Sequence, residues 1–175
     1  RANPYFDNET GLEEKILKFK KVIIERVDSN TINDNKCLKK IMTSKEKFFI
    51  FCSNPGEILR QEYFNKQKVY LHVHPGKLPN FKGSTPYYYE ILKDNKITFT
   101  SLFMSHKLDQ GKIIISKSFN IKKLKKYDKS VLDDILDPHL RSLVLIETLA
   151  KLKTKNIKNL LILKKSKKNY LNYFV

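Results

Sequence analysis

The order of apolar patterns along this chain predicts an α/β domain, with a mostly parallel sheet flanked by helices and one β-hairpin. Three observations carry that expectation. β-Branched and aromatic runs at 22–27 (VIIERV), 47–53 (KFFIFCS) and 68–74 (KVYLHVH) read as strands, and each follows a stretch whose apolar residues fall near helical spacing. Two more β-rich runs, 96–106 and 111–121, are separated only by KLDQ, which is hairpin length. Finally, 175 residues with 41% hydrophobic content, Gly 5 and Pro 6, suit one domain with one sizeable core.

Taken in order, GLEEKILKFKK at 11–21 spaces Leu12, Ile16, Leu17 and Phe19 for a helix that leads into the first strand. DSNTIND supplies turn and N-cap residues, and NDNKCLKKIM places Cys37, Leu38, Ile41 and Met42 on one helix face before the second strand. GEILRQEYF at 56–64 suits a short helix before the third strand. STPYYYEILKD reads as a helix with Ser84 as N-cap and Pro86 in the first turn, where a missing N–H costs nothing. After the hairpin, Leu140, Leu143, Val144, Ile146, Leu149 and Leu152 mark a long helix from about 130 to 153. The lysine-rich tail ends in NYLNYFV, an aromatic and apolar alternation that reads as a strand. No repeat or linker divides the chain, so residues 1–175 are expected to form a single domain.

Lys plus Arg number 35 against 18 Asp plus Glu, a formal charge of +17 that favours anionic partners. A lysine-, asparagine- and isoleucine-rich composition produces the same charge whatever the protein binds. Cys37 and Cys52 have neither metal-ligand spacing nor the number for a disulfide scaffold, so a reducing cytoplasm is the default compartment. No apolar run approaches the ~20 residues of a membrane span.

The chemistry concentrates in HVHPGKLPNFKGSTP, 72–86. Residues two apart in a strand face the same way, so His72 and His74 could meet one ligand at the carboxyl end of a strand, where α/β sheets bind. A zinc site would need a third ligand, for which His106, His139 and Asp109 are the candidates, and none lies in a ligand-type motif. Alternatively Pro75, Gly76, Pro79 and Gly83 only punctuate a strand-to-helix connection. A third reading pairs a histidine with Asp109 of the hairpin tip, since a carboxylate fixes an imidazole's tautomer and raises its basicity. Gly76 and Gly83 would let backbone approach a ligand, and Lys77 and Lys82 would be available to phosphate or carboxylate groups. Tyr87, Tyr88 and Tyr89 read as core packing on one helix face, with at most one ring free to stack on a ligand.

These residues resemble the formyltransferases that use 10-formyltetrahydrofolate. HVHPGKLPNFKGSTP is similar to that family's Asn-x-His strand end and following loop, and LDQGKII is similar to its D-x-G-x-I-I hairpin. FFIFCSNPGEIL and LDPHLRSLVLIETL extend the similarity, which covers about residues 47–150. The resemblance implies a Rossmann-like domain whose hairpin carries the catalytic aspartate. It implies His74 and Asp109 as the catalytic pair, and His72, standing where the family usually has asparagine, as a second donor to the developing oxyanion. Ser53, Ile58, Leu59 and His106 would hold 10-formyltetrahydrofolate, the formyl donor, and no metal is required. Gly76, Lys77, Lys82 and Gly83 would face the substrate. Within the family the loop reads closest to the branch that formylates nucleotide-linked amino sugars for surface polysaccharide. Methionyl-tRNA formylation is the alternative, with tRNA as partner, and a non-catalytic basic nucleic-acid-binding module is the alternative of another class. A homodimer is left open. The family opens with a strand and helix not found here, so the chain is expected to lack its first strand and to have lost residues beyond Val175.

Overall fold

The computed structural model describes residues 22–54, 56–64, 68–121 and 128–154. The helix expected at 11–21 and the strand expected in the tail lie outside them.

Helix α1, Asn35–Thr43, starts where expected because Asp34 caps it, its carboxylate accepting from the Lys36 N–H at 2.7 Å. Strand β1, Phe48–Ile50, is followed by a loop and a single 3₁₀ turn, Gln61–Phe64. Then come β2, Val69–His74, helix α2, Pro86–Asp94, and the hairpin of β3, Lys96–Phe103, and β4, Lys112–Asn120. A π-helical segment, Val131–Leu136, runs directly into helix α3, Asp137–Thr154.

The strands form one sheet in the order β1-β2-β3-β4. The α/β class holds, and the sheet is mixed: β1 runs parallel to β2, while β2/β3 and β3/β4 are antiparallel. The expectation of a mostly parallel sheet rested on three strands separated by helices, of which the first, 22–27, is not part of the sheet, so that only β1 and β2 pair in parallel. His74, the last residue of β2, faces Thr100, so β3 begins four residues beyond that same end. The connection returns the chain to the end it left, and β3 must then run backwards. Asn95, in the left-handed region at φ 50, makes the abrupt change from helix to strand.

Three further expectations need correction. Residues 22–27 belong to no strand: Val22, Ile23 and Ile24 are exposed and have no ladder partner among the described residues. The segment 56–60 is loop rather than helix. Gly56 takes φ 82, and besides the Glu57 N–H bond to the Asn54 carbonyl the loop is held by side-chain bonds exchanged with the 31–33 turn. The Glu57 carboxylate accepts from the Ile32 N–H at 2.8 Å, and Asn33 bonds both the Ile58 carbonyl and the Arg60 N–H. The N-cap of α2 is Thr85, not Ser84, with Pro86 at the first helical position.

Helices α2 and α3 pack on the sheet. Val73, Ile97 and Phe99 pack there on Tyr87, Leu140 and Val144, and each fully buried side chain of this size contributes about 1.5–3 kcal/mol. A smaller cluster joins Tyr70 to Leu59 and Tyr63, with Leu38 and Ile41 of α1 against it. Glu90 of α2 is buried, its carboxylate accepting from both the N–H and the hydroxyl of Thr98, which fastens the helix to β3. No helix among the described residues is long and apolar enough to cross a membrane.

Candidate active site

β2 is the interior strand shared by the parallel and antiparallel parts of the sheet, and its carboxyl end delivers the two histidines. The His74 side chain is almost fully buried. Its Nε2 lies 2.7 Å from the Phe81 carbonyl, and its Nδ1 lies 3.4 Å from Asp109 Oδ1. Asp109 reaches this position from the hairpin turn with φ 51, and its other oxygen accepts from the Gly83 N–H at 2.9 Å. The sequence pairing of His74 with Asp109 across 35 positions is thus present in space.

A carbonyl only accepts, so the 2.7 Å contact puts a proton on His74 Nε2; Nδ1 faces the Asp109 carboxylate, with a lone pair in the neutral ring and a second N–H in the imidazolium. Burial pushes this imidazole below the ordinary histidine value; the Phe81 carbonyl and Asp109 pull it back up, and the nearby Arg141 charge depresses it further. His72 is treated differently. Its Nδ1 donates to the Phe51 carbonyl at 3.2 Å, and burial drives its pKa down to about 4. A donor role toward an oxyanion requires a free ring N–H, and the neutral His72 ring has already given its one N–H to Phe51.

Both histidines and Asp109 line a cavity of about 880 Å³ between the 51–59 loop, the hairpin turn and the start of α3. Ser53, Ile58, Leu59 and His106, expected at the donor site, line it as well. Of the four residues expected at the substrate, only Gly83 does. Gly76 is packed beneath the imidazole, and Lys77 and Lys82 are exposed on the outside of the loop. Among the described residues no group of three His, Cys, Asp or Glu side chains is placed to hold a metal ion.

Residues 9–145 match the formyl transferase family. The chain belongs to that family. A methionyl-tRNA formyltransferase of Borreliella afzelii is 34% identical over 88 residues, 49% of this chain and 28% of that protein. Phosphoribosylglycinamide formyltransferase from Campylobacter jejuni superposes with a TM-score of 0.51 at 22% identity, over 66% of this chain and 59% of that one. HypX from Aquifex aeolicus, solved with tetrahydrofolic acid, superposes at 0.50 with 19% identity over 68% of this chain and 20% of that one. The two structures share the fold. This formyl transferase chain spans 28% and 35% of the length of two curated relatives it matches.

Several residues of this candidate site carry no signal in the sequence. Arg141 of α3 donates to the Val73 carbonyl, between the two histidines, at 3.2 Å and to Asp137 at 2.5 Å. Only the Asp137–Arg141 spacing of four, one helical turn, was there to be noticed. Asp133, in the π-helical segment, accepts from the hydroxyls of both Tyr87 and Tyr88. Tyr87 is buried, Tyr88 half-buried and Tyr89 exposed, in keeping with core packing that leaves at most one ring free. The charged lining, Glu57, Asp109, Asp133, Asp134 and Asp137 against Lys107 and Arg141, is acidic in a strongly basic chain.

The loop is stitched to the hairpin. The Thr100 hydroxyl donates to the Gly76 carbonyl at 2.7 Å and accepts from the Leu78 N–H at 3.3 Å. A Cβ on Gly76 would lie 2.7 Å from the Phe81 carbonyl and 3.0 Å from His74 Nε2. Gly76→Ala is therefore expected to lower stability by roughly 1–3 kcal/mol in urea unfolding. An unchanged midpoint would show that the loop yields freely.

Proposed function

We propose that this chain transfers the formyl group of 10-formyltetrahydrofolate to the primary amine of a nucleotide-linked amino sugar. The observation that carries the reading is the buried His74–Asp109 pair at the wall of a cavity large enough for a folded-in ring system. The donor fits the lining: Ile58 and Leu59 offer apolar surface, with Ser53 and His106 as polar neighbours. When bound it supplies a formyl carbon attached to nitrogen, open to attack by an amine.

The residues of the chain do the rest. An amine in water is mostly ammonium and must lose a proton before it can attack. The acidic lining favours the cationic end of such a substrate over its phosphates. His74 takes a proton at Nδ1, where Asp109 neutralises the imidazolium while Phe81 keeps the ring in place through Nε2. Gly83 holds Asp109 through its backbone N–H. Lys77 and Lys82, exposed on the loop, are available to the phosphates of the carrier.

Methionyl-tRNA is the second reading, favoured by the methionyl-tRNA formyltransferases among the curated relatives and by the charge of +17. Incubating the chain and formyl donor with a panel of nucleotide-linked amino sugars and, separately, with methionyl-tRNA tests both. Formylated sugar is expected. Product on methionyl-tRNA alone replaces the first reading with the second. Nucleic-acid binding with no product on any amine ends both and leaves a basic binding module.

A further inference from the structure

We infer that His72 is a second proton acceptor, with Nε2 directed to the attacking amine, rather than a donor to the formyl oxygen. The inference rests on the formyl-transfer reading and assigns that site a role which its geometry, not the resemblance, supplies. The Phe51 carbonyl holds the proton on Nδ1. Nε2 makes no hydrogen bond among the described residues and is not one of the buried polar atoms left without a partner, and the ring lines the cavity. A lone pair is therefore what His72 offers to a bound molecule. The ring is fixed in this attitude by Phe51, which contributes both the carbonyl and a tilted ring contact at 5.7 Å.

Burial above all keeps His72 neutral, against the Phe51 carbonyl, which favours the charged ring. Arg141 of α3 and His74 of the same strand also disfavour its protonation, Asp109 of the hairpin opposes them, and Asp137 partly neutralises Arg141. This division of labour solves a counting problem in the reaction. An ammonium must lose two protons to become a formamide nitrogen, and one acceptor cannot hold both. His74 with Asp109 takes the first. As the amine nitrogen bonds to the formyl carbon, the second passes to His72 Nε2. It then moves to the donor nitrogen as the bond between that nitrogen and the formyl carbon breaks. Atoms and charge balance: formamide and N–H donor product form, and one proton is released to solvent. A weakly basic imidazole suits the last transfer, because its conjugate acid gives up the proton readily to a poorly basic leaving nitrogen.

Two measurements on the full chain test the assignment. Long-range proton–nitrogen correlation spectra of isotope-labelled protein at neutral pH report the tautomer without any substrate. The expected pattern is a His72 ring protonated at Nδ1 and bare at Nε2; a proton on Nε2 overturns the proposal. In turnover assays with saturating donor and amine, His72→Asn and His72→Ala are both expected to fall by about 100-fold, with melting temperatures recorded beside them. Retention of most activity by folded His72→Asn, with loss in His72→Ala, overturns the proposal in favour of a donor role, since an amide supplies an N–H but cannot take a proton. Wild-type protein that formylates no amine ends the underlying reading as well, whatever the tautomer proves to be.

Discussion

His74→Ala and Asp109→Asn are expected to lower formyl-transfer turnover by about 100-fold or more, the scale for groups that move protons in a transition state. The two substitutions fail for different reasons. His74→Ala removes the imidazole held between the Phe81 carbonyl and Asp109, and leaves those oxygens facing a void. Asp109→Asn preserves shape and can keep an oxygen on the Gly83 N–H, but it removes the charge that neutralises His74 when Nδ1 gains a proton. Asp109→Asn should therefore melt close to wild type while losing activity. His74→Ala should lose both, because the ring is almost completely buried. Turnover measured beside a urea melt separates the cases, and wild-type turnover in folded Asp109→Asn would sink the role given to this pair.

The second large effect is on stability in acid. The His72 pKa is lowered from 6.5 to about 4 in the folded chain, so between those values the unfolded state binds more protons and stability rises with pH. The contribution is fully present above the unfolded value of 6.5 and is lost as pH falls towards about 4. Integrating the shift gives a loss of roughly 2 kcal/mol by about pH 5. His74 is lowered in the same direction, and both should act together in the wild type. His72→Asn removes one titrating group. Its unfolding free energy should decline less steeply between about pH 7 and about pH 5 than that of the wild type. Parallel urea-unfolding curves for the two proteins would show that His72 is not held neutral by the fold.

Much of the site was legible because its signals are local. A strand ending in His-Val-His, a proline- and glycine-marked loop and an aspartate in a four-residue hairpin connection all lie within short stretches. The illegible parts depend on atoms without sequence identity or on distance. The carbonyls of Phe51 and Phe81 decide both tautomers, and every residue type has a carbonyl. Arg141 bonds a backbone atom 68 residues away, which no spacing rule anticipates. The strand expected at 22–27 failed for a related reason: β-branched residues state a preference, and only a neighbouring strand can satisfy it. In the sheet, strand composition did not tell which way β3 runs, because the return of the chain to the end it left is set by loop and helix geometry.

The bonds between Thr100 and the 76–78 backbone, together with the one from Gly83 to Asp109, have a practical meaning for engineering. The loop is not an exchangeable cassette. Its first half hangs from an interior strand and its second half grips the carboxylate that lies beside His74. A chimera carrying another enzyme's loop would need the matching hairpin as well. Transplanted alone, a loop of different length would release Asp109 even if it brought every contact needed for a new substrate. A designer wishing to change what this protein accepts would do better to alter the exposed outer positions, Lys77 and Lys82, and leave the backbone between them as it stands.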